Sequence, residues 1–390
     1  MINEFLDEEL KDIQSRGLKR KLRLVTGSQG PEIVVEGKKC LNFCSNNYLG
    51  LANDPRLTEA AYVAMKEEGF GAGASRLVCG NMSAHQKLEK KIIEFKQCEA
   101  ALVFNTGYMA NVGVISSLFN RSDWIFSDKL NHASIVDGIK LCEANFRRYP
   151  HNDMEGLERV LKSTPAKGKR CIITDTVFSM DGDVARLPEI VKLAKQYNCM
   201  VMIDEAHGVG VMGEHGRGLA EHFDVEKDID IQIGTLSKAL GSVGAYCAGS
   251  RKLIDYVINT ARSLIYTTAL PPAAAAASTE AINIIQREPG LMKNLWDNTR
   301  YVKSRLQEMG FDTMDSQTPI IPILIKDNDK AVEFSKKLFE NGIFVSAIRP
   351  PAVPIDTARL RLTVMASHSR ENLNALCEKL QSIGKDLCLI

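Results

Sequence analysis

The sequence predicts an α/β protein of two domains: a large one built on a mainly parallel sheet between helices, and a smaller C-terminal one with an antiparallel sheet. Three observations predict this. Short apolar runs rich in β-branched residues, "AALVF", "WIFS", "CIITDTVF", "CMVMID" and "IDIQIG", alternate with helical stretches such as "SAHQKLEKKIIEF" and "LPEIVKLAKQYN". Strands apolar on both faces and separated by helices form parallel sheets covered on both sides. From about residue 286 the pattern changes to strands with two-residue alternation, "IPILI" and "ARLRLTV", and two amphipathic helices, "DKAVEFSKKLFENG" and "SRENLNALCEKLQSIG". Finally, the chain has 390 residues, and a single core stops growing at roughly 250 to 300.

Taken in order, residues 1–45 read as an N-terminal helical arm packed on a larger body. Phe5, Leu6, Ile13, Leu18 and Leu22 fall at helical spacing among many charges. The acidic start without an apolar run argues against a secretory signal or transit peptide, so a cytoplasmic location is expected. Residues 46–285 form the large domain, within which "PPAAAAAS" marks a helix start. Residues 286–390 form the small domain.

The chain carries 49 basic and 48 acidic residues. Without a net field to draw it to nucleic acid or an anionic membrane, a small-molecule partner is favoured. Ten cysteines are scattered, and the close pair Cys40 and Cys44 has no second pair to complete a zinc site. Free thiols and no metal are expected.

"MVMIDEAHGVGVMG" places Asp204, Glu205 and His207 at the carboxyl end of a strand, where open α/β sheets put their ligand sites. A DEAH-type nucleotide triphosphatase would also need a G-x-x-x-x-G-K-[ST] loop, and no glycine-lysine pair here is followed by serine or threonine. "GFGAGASR" fits a dinucleotide-binding pattern in form, but a helix rather than a strand precedes it, so it reads as a glycine-rich loop. "ALVFNTGYMANVGVISSLF" is a strand, a turn at Asn105 to Gly107 and a helix whose free N–H groups would hold a phosphate. "DKLNHASIVDG" and "TDTVFSMDGD" set His132 and Ser179 after further strands. Gly107, His132, Ser179, Asp204, His207 and Lys238 therefore converge on strand ends that share one edge of a parallel sheet.

Lys238 sits in "IGTLSKALGSVGA", with no charged neighbour between Asp230 and Arg251. A lysine among small residues, in a cleft with a phosphate site, a carboxylate and an imidazole, has the setting of a Schiff-base lysine. Pyridoxal 5'-phosphate (PLP) is the cofactor that needs a phosphate cup, an aspartate at its ring nitrogen and such a lysine. The spacing of 34 positions from Asp204 to Lys238 leaves room for one helix and one strand.

Together with "LNFCSNNYLGL", "GAGASRLVCG", "HQKLEKKIIEF", "EHGRG" and "ARLRLTVMASH", these segments run nearly end to end and in order. The chain resembles the α-oxoamine synthase family of fold-type I PLP enzymes. The resemblance implies a seven-stranded sheet in the large domain and a homodimer with shared active sites. It also implies an acyltransferase that condenses alanine or glycine with an acyl thioester, carried by coenzyme A or an acyl carrier protein, with loss of CO2. "SLIYTTALPPAAAAA" and "IRPPAVPIDTARLRLTV" point to the family members that join alanine to a pimeloyl thioester in biotin synthesis, whereas "LNHASIVDGIKLC" is as close to those that use glycine and acetyl-CoA.

Residue by residue, the resemblance implies that Lys238 holds the cofactor and then serves as the base for the α-proton. Asp204 pairs with the ring nitrogen, His207 bonds the phenolic oxygen with Ser179 nearby, and His132 stacks on the ring. Gly107, Tyr108 and Thr235 hold the phosphate, joined by Thr268 of the neighbouring subunit. Arg20 and Arg349 fall to the acyl side, where Ala352 cannot supply the hydroxyl common at its position. Two-residue alternation puts Arg359 and Arg361 on one face of a strand, so either could form a bidentate pair with a carboxylate. The family pattern favours Arg361 with Asn46, and Arg359 is expected to be a solvated surface charge.

Overall fold

A computed structural model describes residues 2–16 and 18–390. After an N-terminal helix come strands β1 (Val25–Thr26), β2 (Glu32–Val35) and β3 (Lys38–Asn42). The central sheet uses β4 (Ala100–Phe104), β5 (Trp124–Asp128), β6 (Asn145–Tyr149), β7 (Arg170–Asp175), β8 (Met200–Asp204), β9 (Ile231–Thr235) and β10 (Ala245–Gly249). Its order is β4-β10-β9-β8-β7-β5-β6. Strands β5 to β9 pair in parallel, and only β10 runs against its neighbours β4 and β9. The carboxyl ends of β4, β5, β7, β8 and β9 therefore share one edge.

Alternate residues of each strand feed opposite cores, as a pleated strand requires. Phe126, Ile172 and Ile203 enter one core while Ile125, Ile173 and Met202 enter the other. That is why these strands are apolar without interruption.

The small domain is a second packing unit. Strands β11 (Ile320–Lys326), β13 (Ser346–Ile348) and β14 (Ala358–Thr363) form an antiparallel sheet in the order β11-β14-β13, and β12 (Ile343–Phe344) pairs in parallel with β3. Leu360 and Leu362 of β14 pack with Phe334, Leu338 and Leu376 from the two flanking helices.

Two expectations need correction. The segment 1–45 is helical only over Ile2–Ser15, which buries none of its residues, and Leu22 is almost fully exposed. Residues 25–42 hold the strands β1, β2 and β3 instead. Glu36 and Gly37, at φ 50° and 82°, make the tight turn that joins β2 to β3, a conformation that matches strand twist. Arg359 is not a solvated surface charge but 1% exposed. Its face of β14 lies against the loop after β7, where it meets the Asp181 carboxylate at 2.6 Å and the Met180 carbonyl at 3.3 Å.

Candidate active site

The shared strand edge opens into a cavity of about 180 Å³ lined by eight predicted residues: Gly107, Tyr108, His132, Ser179, Asp204, His207, Thr235 and Lys238. Each lies at the end of a strand or in the segment that follows one. After β4 the chain enters helix Gly107–Leu118, capped by the Thr106 hydroxyl, which accepts from the Met109 N–H at 3.1 Å. Helix geometry leaves the Gly107 and Tyr108 N–H groups without an intrahelical acceptor, and a Cβ on Gly107 would meet only open space. Across this mouth, the Thr235 and Ser237 hydroxyls lie 2.7 Å apart. The Tyr108 hydroxyl is taken up by Asp137, to which it donates at 2.6 Å.

Lys238 follows β9 in a turn held by Gly241, whose φ of 67° and contact with the Leu51–Ala52 backbone exclude any side chain. The glycine thus serves the packing of this turn on the segment that carries Asn46 and Tyr48. The Lys238 amine lies 2.8 Å from His207 Nε2. Burial lowers its pKa to about 8, against the opposing pull of Asp204 and Asp175. The His207 imidazole is held well below its ordinary range by burial and then by the charges of Lys238, Arg361 and His132, so it is neutral.

Asp204 ends β8 and is 5% exposed. It accepts from Asn111 Nδ2 at 2.6 Å and from the Ala206 N–H at 2.8 Å. Among the described residues it forms no salt bridge, and Lys238 across the same cavity is the cation within its electrostatic reach. The ladder partner of Asp204 at the end of β7 is Asp175. Burial, and then the Asp204 charge, push the Asp175 carboxyl well above the carboxylate range. Asp175 accepts the His132 N–H at 2.6 Å. His132 stands at the mouth of the cleft, with Nδ1 2.8 Å from Ser134 Oγ, and burial lowers its imidazole pKa.

Asn46 and Arg361 adjoin this cavity. Arg361 Nε donates to the Ser179 carbonyl at 2.5 Å and Nη2 to Asn46 Oδ1 at 3.1 Å. Arg20 and Thr268 are exposed and Arg349 is half-buried, and none of the three lines the cavity. Thr268 is tied to the cup through its carbonyl, which accepts from Asn105 Nδ2 at 2.8 Å.

Asn111, Ser134, Asp175, Ala206 and Ser237 of the cavity wall, and Tyr48 behind it, escaped the sequence reading. Asn111 is a buried amide inside an apolar helix, and Asp175 ends a strand in register with Asp204. Both patterns were visible signals. Tyr48 bonds His207 Nδ1 at 2.7 Å, a contact across distant sequence that no spacing foretells.

These residues fit PLP: unpaired N–H groups at a helix start for a phosphate, a buried carboxylate without a salt bridge for a protonated ring nitrogen, and an amine of lowered pKa for an aldehyde. The chain belongs to the class I and II aminotransferase family, whose model matches residues 38–380, and within the fold-type I PLP enzymes it is an α-oxoamine synthase. It is 50% identical over 388 residues to the 8-amino-7-oxononanoate synthase of Thermoanaerobacter pseudethanolicus, covering 99% of this chain and 98% of that one. A serine palmitoyltransferase from S. paucimobilis, solved with PLP and myriocin bound, superposes with a TM-score of 0.94 at 31% identity, covering all of both chains. The 8-amino-7-oxononanoate synthase of Francisella tularensis superposes with a TM-score of 0.78 at 30% identity, covering 89% of this chain and 98% of that one.

Proposed function

We propose that this chain condenses L-alanine with a pimeloyl thioester, releasing CO2 and forming 8-amino-7-oxononanoate for biotin synthesis. The observation that carries the reading is the full-length 50% identity to a synthase of that name, joined to a site whose parts suit the chemistry. Bound PLP supplies the electron sink for charge that develops at the amino acid's α-carbon.

The chain's own residues do the rest. Arg361 and Asn46 are placed to hold the amino acid's carboxylate, since a guanidinium presents a fork that matches it. Lys238 Nζ, with its pKa near 8, carries the cofactor at rest and is the base that takes the α-proton. Asp204 keeps a proton on the cofactor's ring nitrogen. His207 offers a neutral imidazole beside Lys238. His132 stands where it can cover the cofactor's face. Gly107, Tyr108 and Thr235 bind the phosphate. Thr268 of a second copy completes that cup in a homodimer, and the acyl chain runs past Arg20 and Arg349. The ten unpaired cysteines suit a reducing cytoplasm.

Glycine with acetyl-CoA is the competing substrate pair. Burying the four extra methylenes of a pimeloyl group contributes roughly 3 kcal/mol in an apolar channel, which favours the long acyl chain. The purified protein loaded with PLP is expected to turn over alanine and a pimeloyl thioester in clear preference to glycine and acetyl-CoA, with the ketone product identified by mass. Equal or better turnover of the second pair would move the substrate assignment.

A further inference from the structure

Thr268 lies in a stretch, residues 266–271, that belongs to no helix or strand, so its backbone groups need partners from elsewhere. Three neighbours supply them at successive residues. The Leu270 carbonyl accepts from His85 Nε2 at 2.6 Å, the Ala269 N–H donates to the Ala74 carbonyl at 2.9 Å, and the Thr268 carbonyl accepts from Asn105 Nδ2 at 2.8 Å. Leu270 and Ala269 are also buried, at 3% and 6% exposure, whereas Thr268 is exposed. The Thr268 carbonyl has besides only a long contact from Thr267 Oγ1 at 3.4 Å. At Thr268, therefore, the Asn105 amide is the principal hold on the backbone.

Asn105 stands in the turn between β4 and helix Gly107–Leu118, one residue before the Thr106 that caps the helix. An asparagine in such a turn commonly bonds its own backbone two residues on. Here the side chain instead crosses to a residue 163 positions away. The turn is completed without it, because the Thr106 hydroxyl supplies the cap. Neither Asn105 nor Thr268 lines the cavity of this chain. The amide thus serves the Thr268 stretch rather than the phosphate cup that follows it in sequence.

We infer that Asn105 is a positioning residue that acts across the dimer: by holding the Thr268 carbonyl it sets the Thr268 hydroxyl for the phosphate cup of the second copy. The inference rests on the reading of Thr268 as a shared-site residue. Removing the amide leaves an exposed carbonyl to water, which costs the fold little, but it frees the Thr268 end of a stretch that has no other firm tie there. One hydrogen bond between neutral groups corresponds to about a fivefold change in binding.

The test uses Asn105→Ala, with Asn105→Ser as a second variant whose shorter side chain cannot reach the carbonyl. In the homodimer, either change should weaken PLP binding to the apoenzyme about fivefold. Two hybrid dimers, each with a single intact Lys238 and purified through different tags on the two chains, show which chain's Asn105 matters. Binding is read by the absorbance of the cofactor held on that lysine. Where an Asn105→Ala chain pairs with a Lys238→Ala chain, the Lys238 site receives Thr268 from the chain that keeps Asn105 and should bind PLP with wild-type affinity. Where a wild-type chain pairs with a chain carrying both changes, the site receives Thr268 from the chain that lacks Asn105, and its affinity should fall about fivefold. A role in folding alone would act alike in both hybrids. The reverse pattern, equal affinities in the two hybrids, or unchanged binding in the homodimer would overturn the inference. Thr268→Ala put through the same two hybrids separates this failure from that of the shared site. If Thr268 acts across the dimer and Asn105 does not, the inference alone falls; if Thr268 does not, both fall.

Discussion

Arg359 and Arg361, two residues apart on β14, grip successive parts of one loop: Arg361 Nε donates to the Ser179 carbonyl at 2.5 Å, and Arg359 Nη1 to the Asp181 carboxylate at 2.6 Å. Strand β14 of the small domain thereby grips the loop after β7 that carries Ser179. The two arginines divide the work, because Arg359 is spent on the loop while Arg361 also reaches Asn46 at the cavity.

Replacing Arg359 by leucine strands the Asp181 carboxylate without its partner. Breaking one side of a buried ion pair costs about 3 kcal/mol, so the urea midpoint should fall substantially in Arg359→Leu. Arg361→Lys loses the planar fork but keeps the charge. Its main effect should be a rise in KM for alanine of about tenfold, read by steady-state kinetics, with a smaller change in stability.

On the proposal that Lys238 is the base, its pKa, lowered to about 8 by burial, sets the pH dependence of proton abstraction. A base must be deprotonated to act, so kcat for the wild-type enzyme should rise with pH through about 8 and level off above it. A flat profile between pH 6 and 9 would exclude Lys238 as the base.

A second titration concerns stability alone. His151 lies between Asp128 at 3.0 Å and Asp183 at 2.8 Å. Burial opposes its charge, but hydrogen bonds to both carboxylates and their negative charge outweigh this and raise the imidazole to about 10. The folded pKa exceeds the unfolded value of 6.5, so the contribution is fully present below about pH 6.5 and is lost as the pH rises to about 10. Wild-type stability should decline over that window in urea titrations, and His151→Gln should remove that part of the slope.

Much of the fold was legible because strands buried on both faces leave apolar runs, as β4 and the first four residues of β8 do. The strand-end residues of the site were legible for a related reason: parallel strands must deliver their following turns to one edge. What stayed hidden depends on packing between distant segments. Arg359 alternates with leucines like any strand residue whose side chain faces solvent, and only the arrival of residues 180–181 buries it. Tyr48 looks like another core aromatic until His207 comes within 2.7 Å. The β2–β3 hairpin was overlooked although Glu36 and Gly37 supplied its turn signal.

The shared site proposed for a homodimer predicts complementation. Thr268 is exposed on the isolated chain, and Thr268→Ala should weaken PLP binding. Hybrids of Lys238→Ala chains with Thr268→Ala chains should contain one site with both residues intact and recover part of the binding and activity. Hybrids no better than the parents would exclude a cross-subunit role for Thr268.

The central claim is that Lys238 carries the cofactor, and reduction of the holoenzyme with borohydride followed by peptide mapping tests it most directly. The account predicts a stable pyridoxyl adduct on the peptide that contains Lys238 and the loss of that adduct in Lys238→Ala. An adduct confined to any other lysine would contradict it.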